Sequence, residues 1–400
     1  MRAGQYLKQP TGYSAFIPSP LPPNPPIVMD EELVRLLSDA DCALGRLDGV
    51  ASVLPNPNLF VAMYVRQEAV LSSQIEGTQS TLEDVLQFET DSKRNVAPRD
   101  VEEVVNYIRA MNYGLERLKE LPLSLRLIRE IHARLLEGVR GSHRGPGEFR
   151  TSQNWIGPGN CTLTTATFVP PPVHEMGQAL DNLEKFLHNH SLPVLMHCGL
   201  AHAQFETIHP FLDGNGRVGR LLITFLLCRR GVLRQPLLYL SHYLRRHRAE
   251  YYDRLMVIRN AGDWEGWLKF FLRGVGDVSR QATDTSRSII ALREDHRHRL
   301  SGNAMGIRLL EYLFEQPVVT IRMVERRLEC SFSTANKLVT KLGVAGILKE
   351  VSPRKSRNRS YRYEPYLALF EETSQPPLRE QIPNQTTIAK MAESSPGEKQ

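Results

Sequence analysis

Near the middle of the chain, between two apolar helical patterns, lies the run His209-Pro210-Phe211-Leu212-Asp213-Gly214-Asn215-Gly216-Arg217-Val218-Gly219-Arg220. Pro210 disfavours helical geometry at His209, so we expect the first helix to end there and to leave the imidazole at its end. Gly214 and Gly216 have no Cβ and allow a tight turn whose backbone N–H groups can approach an anion closely. The pattern predicts a second helix that begins at about Asn215 to Arg217.

The residue types in this run suit a nucleotide polyphosphate. Arg217 and Arg220 are three residues apart on the second helix and can bind phosphate oxygens, and the positive end of that helix points the same way. Asp213 offers a carboxylate for Mg²⁺, and His209 can accept a proton near neutral pH. The alternative interpretation is a plain turn between two helices, with arginines that only face solvent. It explains each of these residue types singly, but not their occurrence together in one run. No Lys-Ser/Thr pair follows the glycines, which excludes a Walker loop.

The run resembles the signature of the Fic (Fido) family, His-x-Phe-x-(Asp/Glu)-Gly-Asn-Gly-Arg-x-x-Arg, at every defined position. The resemblance implies a mainly α fold, with a helical Fido core and a β-hairpin flap. It also implies a protein adenylyltransferase, which binds ATP with Mg²⁺ or Mn²⁺ and transfers AMP to a Ser, Thr or Tyr hydroxyl of a protein. By position, His209 is the general base, Phe211 anchors the loop in the core, and Asp213 holds the metal.

The same resemblance assigns the ATP site. Gly214, Asn215 and Gly216 form the anion hole, Arg217 serves the phosphates, and Arg220 holds the γ-phosphate. The implied ATP-binding residues are Glu76, His209, Gly214, Asn215, Gly216, Arg217, Val218, Gly219 and Arg220. For the adenine, Tyr252 and Asn260 are candidates, although aromatic residues on a helix more often belong to a core.

A second motif, Ser72-x-x-x-Glu76-Gly77, lies far N-terminal to the first. Glu76 alone is an ordinary carboxylate at a helix end, where Gly77 marks the stop. The motif resembles the inhibitory Ser/Thr-x-x-x-Glu-Gly/Asn of class II Fic proteins, which implies that Glu76 pairs with Arg220. An arginine paired to a carboxylate cannot also bind the γ-phosphate, so we expect autoinhibition.

Between the two motifs, residues 145–172 contain two short β-prone runs around Gly157-Pro158-Gly159-Asn160, which predict a hairpin. The resemblance makes the segment from about 149 to 170 the flap that binds the protein substrate by main-chain hydrogen bonds. The family also implies self-modification and homodimers, which the sequence does not locate.

The composition of the chain limits the cellular compartments in which we expect the protein. No apolar run approaches membrane-spanning length and the N-terminus lacks an apolar signal region, so we expect neither a membrane protein nor export. Five widely spaced cysteines without metal-ligand spacing favour a reducing cytoplasm.

Four hundred residues predict two or three domains. We expect a proline-rich arm and the inhibitory-helix region at 1–98, a catalytic domain at 99–276, and a charged helical linker at 277–302, whose His296 and His298 are too solvated for a metal site. Residues 303–370 predict three helices followed by a strand, a basic loop and a strand, and residues 371–400 predict a disordered tail.

The last module resembles the winged-helix domain often found after Fic domains. Its third helix offers a polar outer face to a DNA major groove, comprising Ser333, Thr334, Asn336, Lys337, Thr340 and Lys341, and the basic loop ends with Arg357 and Arg359. DNA binding and a protein-interaction or dimerisation role stay open.

Three functions are compatible with the two motifs. The leading one is AMP transfer to protein hydroxyls, held in check by Glu76. The alternatives are removal of AMP at the same site, with Glu76 positioning a water, and a DNA-binding regulator whose Fic core only senses nucleotide. The intact His209 argues against the regulator, because a sensor needs no base.

Overall fold

The structure is a computed structural model, and it describes residues 2–52, 57–90, 99–351 and 359–371. The fold is mainly helical, as the sequence predicted, with two small antiparallel sheets. Among the described residues, no helix combines the length and apolarity needed to span a bilayer.

The N-terminal residues form a β-hairpin where the sequence predicted only a proline-rich arm. Strand β1 (Gly4–Lys8) pairs with β2 (Ser14–Pro18), and the Tyr6 position lies opposite Phe16. Phe16 is buried in the main core, so the apolar side of the hairpin holds the segment against the domain. The prolines that dominated the prediction follow the hairpin rather than shape it.

Nine helices among the described residues surround the His209–Arg220 run or support it. They are α1 (Glu31–Ser52), α2 (Pro57–Ile75), α3 (Leu82–Thr90), α4 (Arg99–Arg117), α5 (Leu125–Leu135), α6 (Val173–Leu187), α7 (Val194–Ile208), α8 (Asn215–Arg229) and α9 (Ser241–Arg246). Helices α7 and α8 are buried nearly all round, which agrees with apolar residues on most sides of each helix. The two buried helices therefore hold the loop between them in a fixed position.

Two further helices complete the core. Helix α10 (Arg248–Ala261) is followed by α11 (Trp264–Arg299), a continuous 36-residue helix that packs along α1. The predicted boundary at residues 276 and 277 therefore falls inside one helix. The segment 277–302 is not a solvated linker either: His296 is buried, and its Nδ1 lies 2.7 Å from the Tyr363 hydroxyl.

The C-terminal part contains α12 (Ala304–Glu315), β3 (Val318–Thr320), α13 (Ile321–Leu328), α14 (Phe332–Val344), β4 (Lys349–Glu350), β5 (Ser360–Arg362) and α15 (Glu364–Glu371). Its three antiparallel strands have the order β3-β5-β4. The sequence predicted two strands after the three helices and so missed β3, which comes after α12. Most of the predicted basic loop and the predicted tail, residues 352–358 and 372–400, lie outside the described residues. This part packs against α2, where the Phe370 ring meets Tyr64 edge-on.

Candidate active site

The loop between α7 and α8 is closed by its own side chains. His209 follows α7 in the left-handed region, with φ 48°, and Gly214 precedes α8 with φ 77°. The Asn215 side chain accepts a hydrogen bond from Phe211 N and donates one to Phe211 O, each at 2.8 Å. Pro210 and the two left-handed residues thus end one helix and start the next within six positions.

Beyond this loop, α8 presents free backbone donors. The amide of Val218 is the first in α8 to bond back along the chain, to Gly214 O at 3.0 Å. The amides of Asn215, Gly216 and Arg217 precede it and have no acceptor within the helix. Together with the helix dipole these amides have the geometry that can bind an anion, at the position where the sequence predicted the anion hole.

His209 is held by its backbone. Its carbonyl accepts from Arg150 Nε at 3.1 Å and from Asn154 Nδ2 at 3.2 Å, which stabilises a left-handed conformation that non-glycine residues seldom adopt. Burial, reinforced by the charges of Arg259 and Arg150, lowers the pKa of the imidazole to about 3. The ring is therefore neutral at physiological pH, as a general base must be.

Phe211 is fully buried, and the ring of His132 stacks on it at 3.7 Å between centroids. The amide of Gly147 donates to His132 Nδ1 at 2.9 Å, so the ring proton lies on Nε2, which donates to Asp213 O at 3.0 Å. His132 is thus a packing residue with both nitrogens bonded. It ties α5 to the loop.

Asp213 lies at the mouth of the loop with a partly exposed side chain. Its Oδ1 accepts from Gly214 N at 2.6 Å and lies 3.5 Å from Arg217 Nη2, whereas Oδ2 has no hydrogen bond among the described residues. The carboxylate therefore has one oxygen that can take a further ligand.

Arg217 and Arg220 do not lie side by side toward one phosphate group. Arg217 is buried and donates to Glu103 Oε2 at 3.2 Å, on α4, and Arg140 lies 3.3 Å from the other oxygen of that carboxylate. Sequence reasoning missed Glu103. The signal was weak: Glu103 breaks the apolar periodicity of α4 at a position that faces the core.

Arg220 meets the end of α2, where the structure brings the two motifs together. Its Nη2 donates to Glu76 Oε1 at 2.6 Å and to Ser72 O at 3.1 Å, and its Nε donates to Ser72 Oγ at 2.8 Å. Burial alone would raise the pKa of Glu76, but Arg220 outweighs it and holds that pKa below its usual range. Gly216 makes the approach feasible, since a Cβ there would lie 2.1 Å from Glu76 Oε1.

The predicted flap is not a β-hairpin in this structure. Its two runs meet at a single antiparallel bridge between Ile156 and Phe168, and the intervening residues form turns. The N-terminal hairpin supports the flap instead, because Phe16 N donates to Val169 O at 2.9 Å. The side chain of Arg150 donates to Pro171 O and so links both ends of the flap.

The two adenine candidates have different surroundings. Tyr252 is exposed, and the Arg248 guanidinium lies 5.5 Å from its ring centroid. Asn260 Oδ1 accepts from the Tyr6 hydroxyl at 3.0 Å, so the N-terminal hairpin engages it. A polar cavity of about 370 Å³ lies between that hairpin, the flap and α10, and Asn260 and Met256 line it.

Comparison with known proteins relates this geometry to a family. Residues 34–116 match the family model described as Fic/DOC family N-terminal, and residues 122–227 match the one described as Fic/DOC family. The chain is 30% identical over 189 residues to the protein adenylyltransferase Fic of Drosophila virilis, which covers 46% of this chain and 34% of that protein. It is 33% identical over 169 residues to the protein of the same name from Aedes aegypti, with 40% and 29% covered.

The chain thus spans about a third of the length of these curated relatives. Among solved structures, a Fic family protein from Desulfovibrio desulfuricans G20 superposes with a TM-score of 0.55 at 22% identity. The superposition covers 84% of this chain and 97% of that one, so the two share a fold.

Proposed function

Because this chain belongs to the Fic/DOC family over residues 34–116 and 122–227, we propose that it is a protein adenylyltransferase that moves AMP from ATP to a protein hydroxyl. The relatives named protein adenylyltransferase support this reaction. One observation carries the proposal: a neutral His209 lies just before a helix N-terminus with free amides, and Arg220 lies on that same helix.

The reaction uses these groups in a direct way. The hydroxyl oxygen of the target forms a bond to the α-phosphorus of ATP, and the bond to the bridging oxygen breaks, so pyrophosphate leaves with its electron pair. His209 takes the hydroxyl proton. The amides of Asn215 and Gly216 and the guanidinium of Arg220 stabilise the negative charge on the phosphates.

A divalent cation, Mg²⁺ or Mn²⁺, fits the donor set at Asp213. Oδ2 of this carboxylate carries no described hydrogen bond, and the described residues contain no cluster of three or more His, Cys, Asp or Glu that could bind a metal alone. Such a site needs the phosphates of ATP as further ligands, which is the usual way in which Mg²⁺ is bound. When bound, the cation neutralises phosphate charge.

We propose further that Glu76 keeps the enzyme inactive. The guanidinium of Arg220 is paired with the Glu76 carboxylate at 2.6 Å, and an arginine paired in this way cannot also bind a γ-phosphate. Removal of AMP and a purely nucleotide-sensing core are not favoured, because the relatives are named as transferases. The proposed protein substrate binds along the flap, from about residue 149 to 170.

For the C-terminal part we propose a DNA-binding module. On α14, the Ser333, Thr334, Lys337, Thr340 and Lys341 side chains are exposed, and Ala335, Leu338, Val339 and Leu342 are buried, so a polar face points outward. A salt-sensitive gel shift with random duplex DNA tests it, and the triple variant Lys337→Ala/Lys341→Ala/Arg357→Ala should abolish the shift. No shift with the unmodified protein would leave a protein-interaction role, and a shift that the triple variant retains would exclude these residues as the DNA contact.

The catalytic proposal is tested with α-labelled ATP, Mg²⁺ or Mn²⁺, and a cell lysate as the source of target proteins. We expect Glu76→Gly protein to label itself or a lysate protein covalently, and mass spectrometry should locate AMP on a hydroxyl. Glu76→Gly/His209→Ala should transfer none. Equal labelling by both variants would exclude His209 as the base, and no labelling by either would exclude the proposed activity.

A reducing cytoplasm is the proposed location, since all five cysteines are free.

A further inference from the structure

A buried carboxylate lies behind the imidazole of the candidate base. Glu206 stands one turn before His209 at the end of α7, and its Oε2 lies 4.0 Å from His209 Nδ1. Glu206 Oε1 and His209 Nδ1 are both buried without a hydrogen-bond partner among the described residues. Buried polar groups without a partner are uncommon, because each costs desolvation energy, and the carboxylate oxygen nearest Nδ1 is the other one, Oε2.

The neighbouring residues Arg259 and Arg220 donate their hydrogen bonds to other groups rather than to this carboxylate. Arg259 donates to the backbone carbonyl of Glu206 and to Thr207 Oγ1, and its guanidinium lies 3.7 Å from the Phe168 ring centroid. Arg220 is bound to Ser72 and Glu76. Among the described residues, the basic group within 4.0 Å of the Glu206 carboxylate is therefore His209.

The motif itself makes room for Glu206. A Cβ at Gly219 would lie 2.6 Å from Glu206 Oε1, so the glycine lets the carboxylate lie under α8. The backbone of His209 is held in place, because Arg150 and Asn154 donate to its carbonyl. The separation of 4.0 Å is longer than a hydrogen bond, but such bonds at catalytic groups often tighten only in the substrate complex.

We propose that Glu206 is a positioning residue for His209: its carboxylate accepts the Nδ1 proton and so leaves the Nε2 lone pair free for the proton of the target hydroxyl. The inference rests on the proposed function. As the oxygen–phosphorus bond forms and pyrophosphate leaves, the hydroxyl proton moves to Nε2. The carboxylate then lies beside the imidazolium and stabilises its charge, as in other carboxylate–histidine pairs.

The arrangement gives the reaction a pH dependence. Burial and the nearby Glu76 charge raise the pKa of Glu206 to about 7, although Arg220 and Arg259 oppose them. Below that pH a neutral Glu206 donates its proton to Nδ1, which puts the imidazole proton on Nε2, where it blocks the reaction. Activity should therefore rise as the pH increases through about 7.

The other titratable groups around Glu206 do not change charge in that range. On α7 and α10, burial lowers the pKa of His202 to about 4 and raises that of Tyr251 far above neutrality. At the end of α2, Glu76 has a pKa below its usual range because of Arg220. Arg220 and Arg259 stay protonated.

The first test needs no activity. With ¹⁵N-labelled histidine and no ATP, the His209 signals, assigned with His209→Ala, should show Nδ1 protonated at pH 8 and Nε2 protonated at pH 6. Glu206→Gln should remove this change. The matched control is Glu68→Gln, since Glu68 is another buried acid whose pKa burial raises to about 7, and it contacts Ser241 and Tyr107 instead. It should leave the His209 signals unchanged.

The second test measures AMP transfer in the Glu76→Gly background. Glu206→Gln should lower kcat by roughly 10- to 100-fold, leave KM for ATP unchanged, and remove the rise of activity through neutral pH. Glu206→Asp, which keeps the charge, should keep the rise at a reduced rate and serves if the glutamine variant does not fold. An unchanged tautomer in Glu206→Gln, or an unchanged pH profile, would overturn the inference. If no variant transfers AMP, the proposed function fails, but the nitrogen signals still decide the role of Glu206.

Discussion

The replacement Glu76→Gly probes the contact on which the proposed inhibition rests. Arg220 Nη2 and Glu76 Oε1 lie 2.6 Å apart, and the arginine side chain is 2% exposed whereas that of Glu76 is 31% exposed. A hydrogen bond to a charged group contributes about 1.5–3 kcal/mol, and we take about 2 kcal/mol because water reaches the carboxylate. Since 1.4 kcal/mol is a factor of ten, the fraction of molecules with Arg220 free should rise roughly 30-fold.

The rest of the site should survive the change. Glu76 lies just after the last residue of α2, so a glycine there interrupts no helix. Ser72 still holds Arg220 through two hydrogen bonds. The initial rate of label transfer from α-labelled ATP should therefore rise by roughly 30-fold. Glu76→Gln keeps a neutral acceptor and should give roughly fivefold, since about half of the stabilisation remains.

Gln79→Gly is the matched control. Its side chain is exposed in the same loop and contacts Gly77, not Arg220. It should transfer AMP at the rate of the unmodified protein. Inhibition by Glu76 is contradicted if the transfer rate of Glu76→Gly stays within about twofold of the unmodified protein while both bind ATP equally, or if Gln79→Gly activates as strongly.

Three further predictions concern the frame of the site. Glu103→Ala leaves Arg217 buried without its main partner and should lower the free energy of unfolding in urea by about 3 kcal/mol, while Glu103→Gln should lower it less. Burial lowers the folded-state pKa of His132 to about 4, below its unfolded value. The contribution of the neutral His132 to the free energy of unfolding is therefore complete above about pH 6.5 and falls by about 3 kcal/mol as the pH is lowered toward 4. His132→Gln lacks this titration, so its stability deficit should shrink as the pH falls, and a constant deficit would contradict the assignment. Asn215→Ala loses both bonds to Phe211 and should reduce AMP transfer by roughly 100-fold, and Asn215→Asp, which can still accept from Phe211 N, should transfer faster than the alanine variant.

The sequence predicted the helices around the motif because their apolar residues repeat with the helical period. The burial of α7 and α8 and the helix end at Gly77 follow from the same local chemistry. The N-terminal hairpin was missed because proline content outweighed two β-prone runs around Gly12, which gave a usable signal. The flap was predicted as a hairpin from β-prone residues, but the Arg150 side chain and the N-terminal strands hold it with little pairing of its own.

The partners of charged side chains were harder to predict, since they lie far apart along the chain. The contact between Glu76 and Arg220 could be named because two motifs resembled one family. Glu103 belongs to no motif and joins Arg217 across 114 positions. The same holds for Glu206, which lies beside the motif but whose relation to Nδ1 of His209 depends on side-chain rotamers. Periodicity assigns a residue to a face and does not identify what that face meets.

The two arginines of the motif differ in how firmly an acid holds them. Both guanidiniums are buried, and a buried charge requires a partner. Glu103 is itself only 2% exposed, and Arg140 also binds it, so withdrawing it from Arg217 would deprive two buried charges of their main partner. Glu76 has solvent on one side and Gly216 on the other, so it can leave Arg220 for water at a smaller cost. We therefore expect ATP to displace Glu76 and to leave Glu103 in place: crosslinking or mass-spectrometric footprinting with and without ATP should show a change at the end of α2 and none in α4.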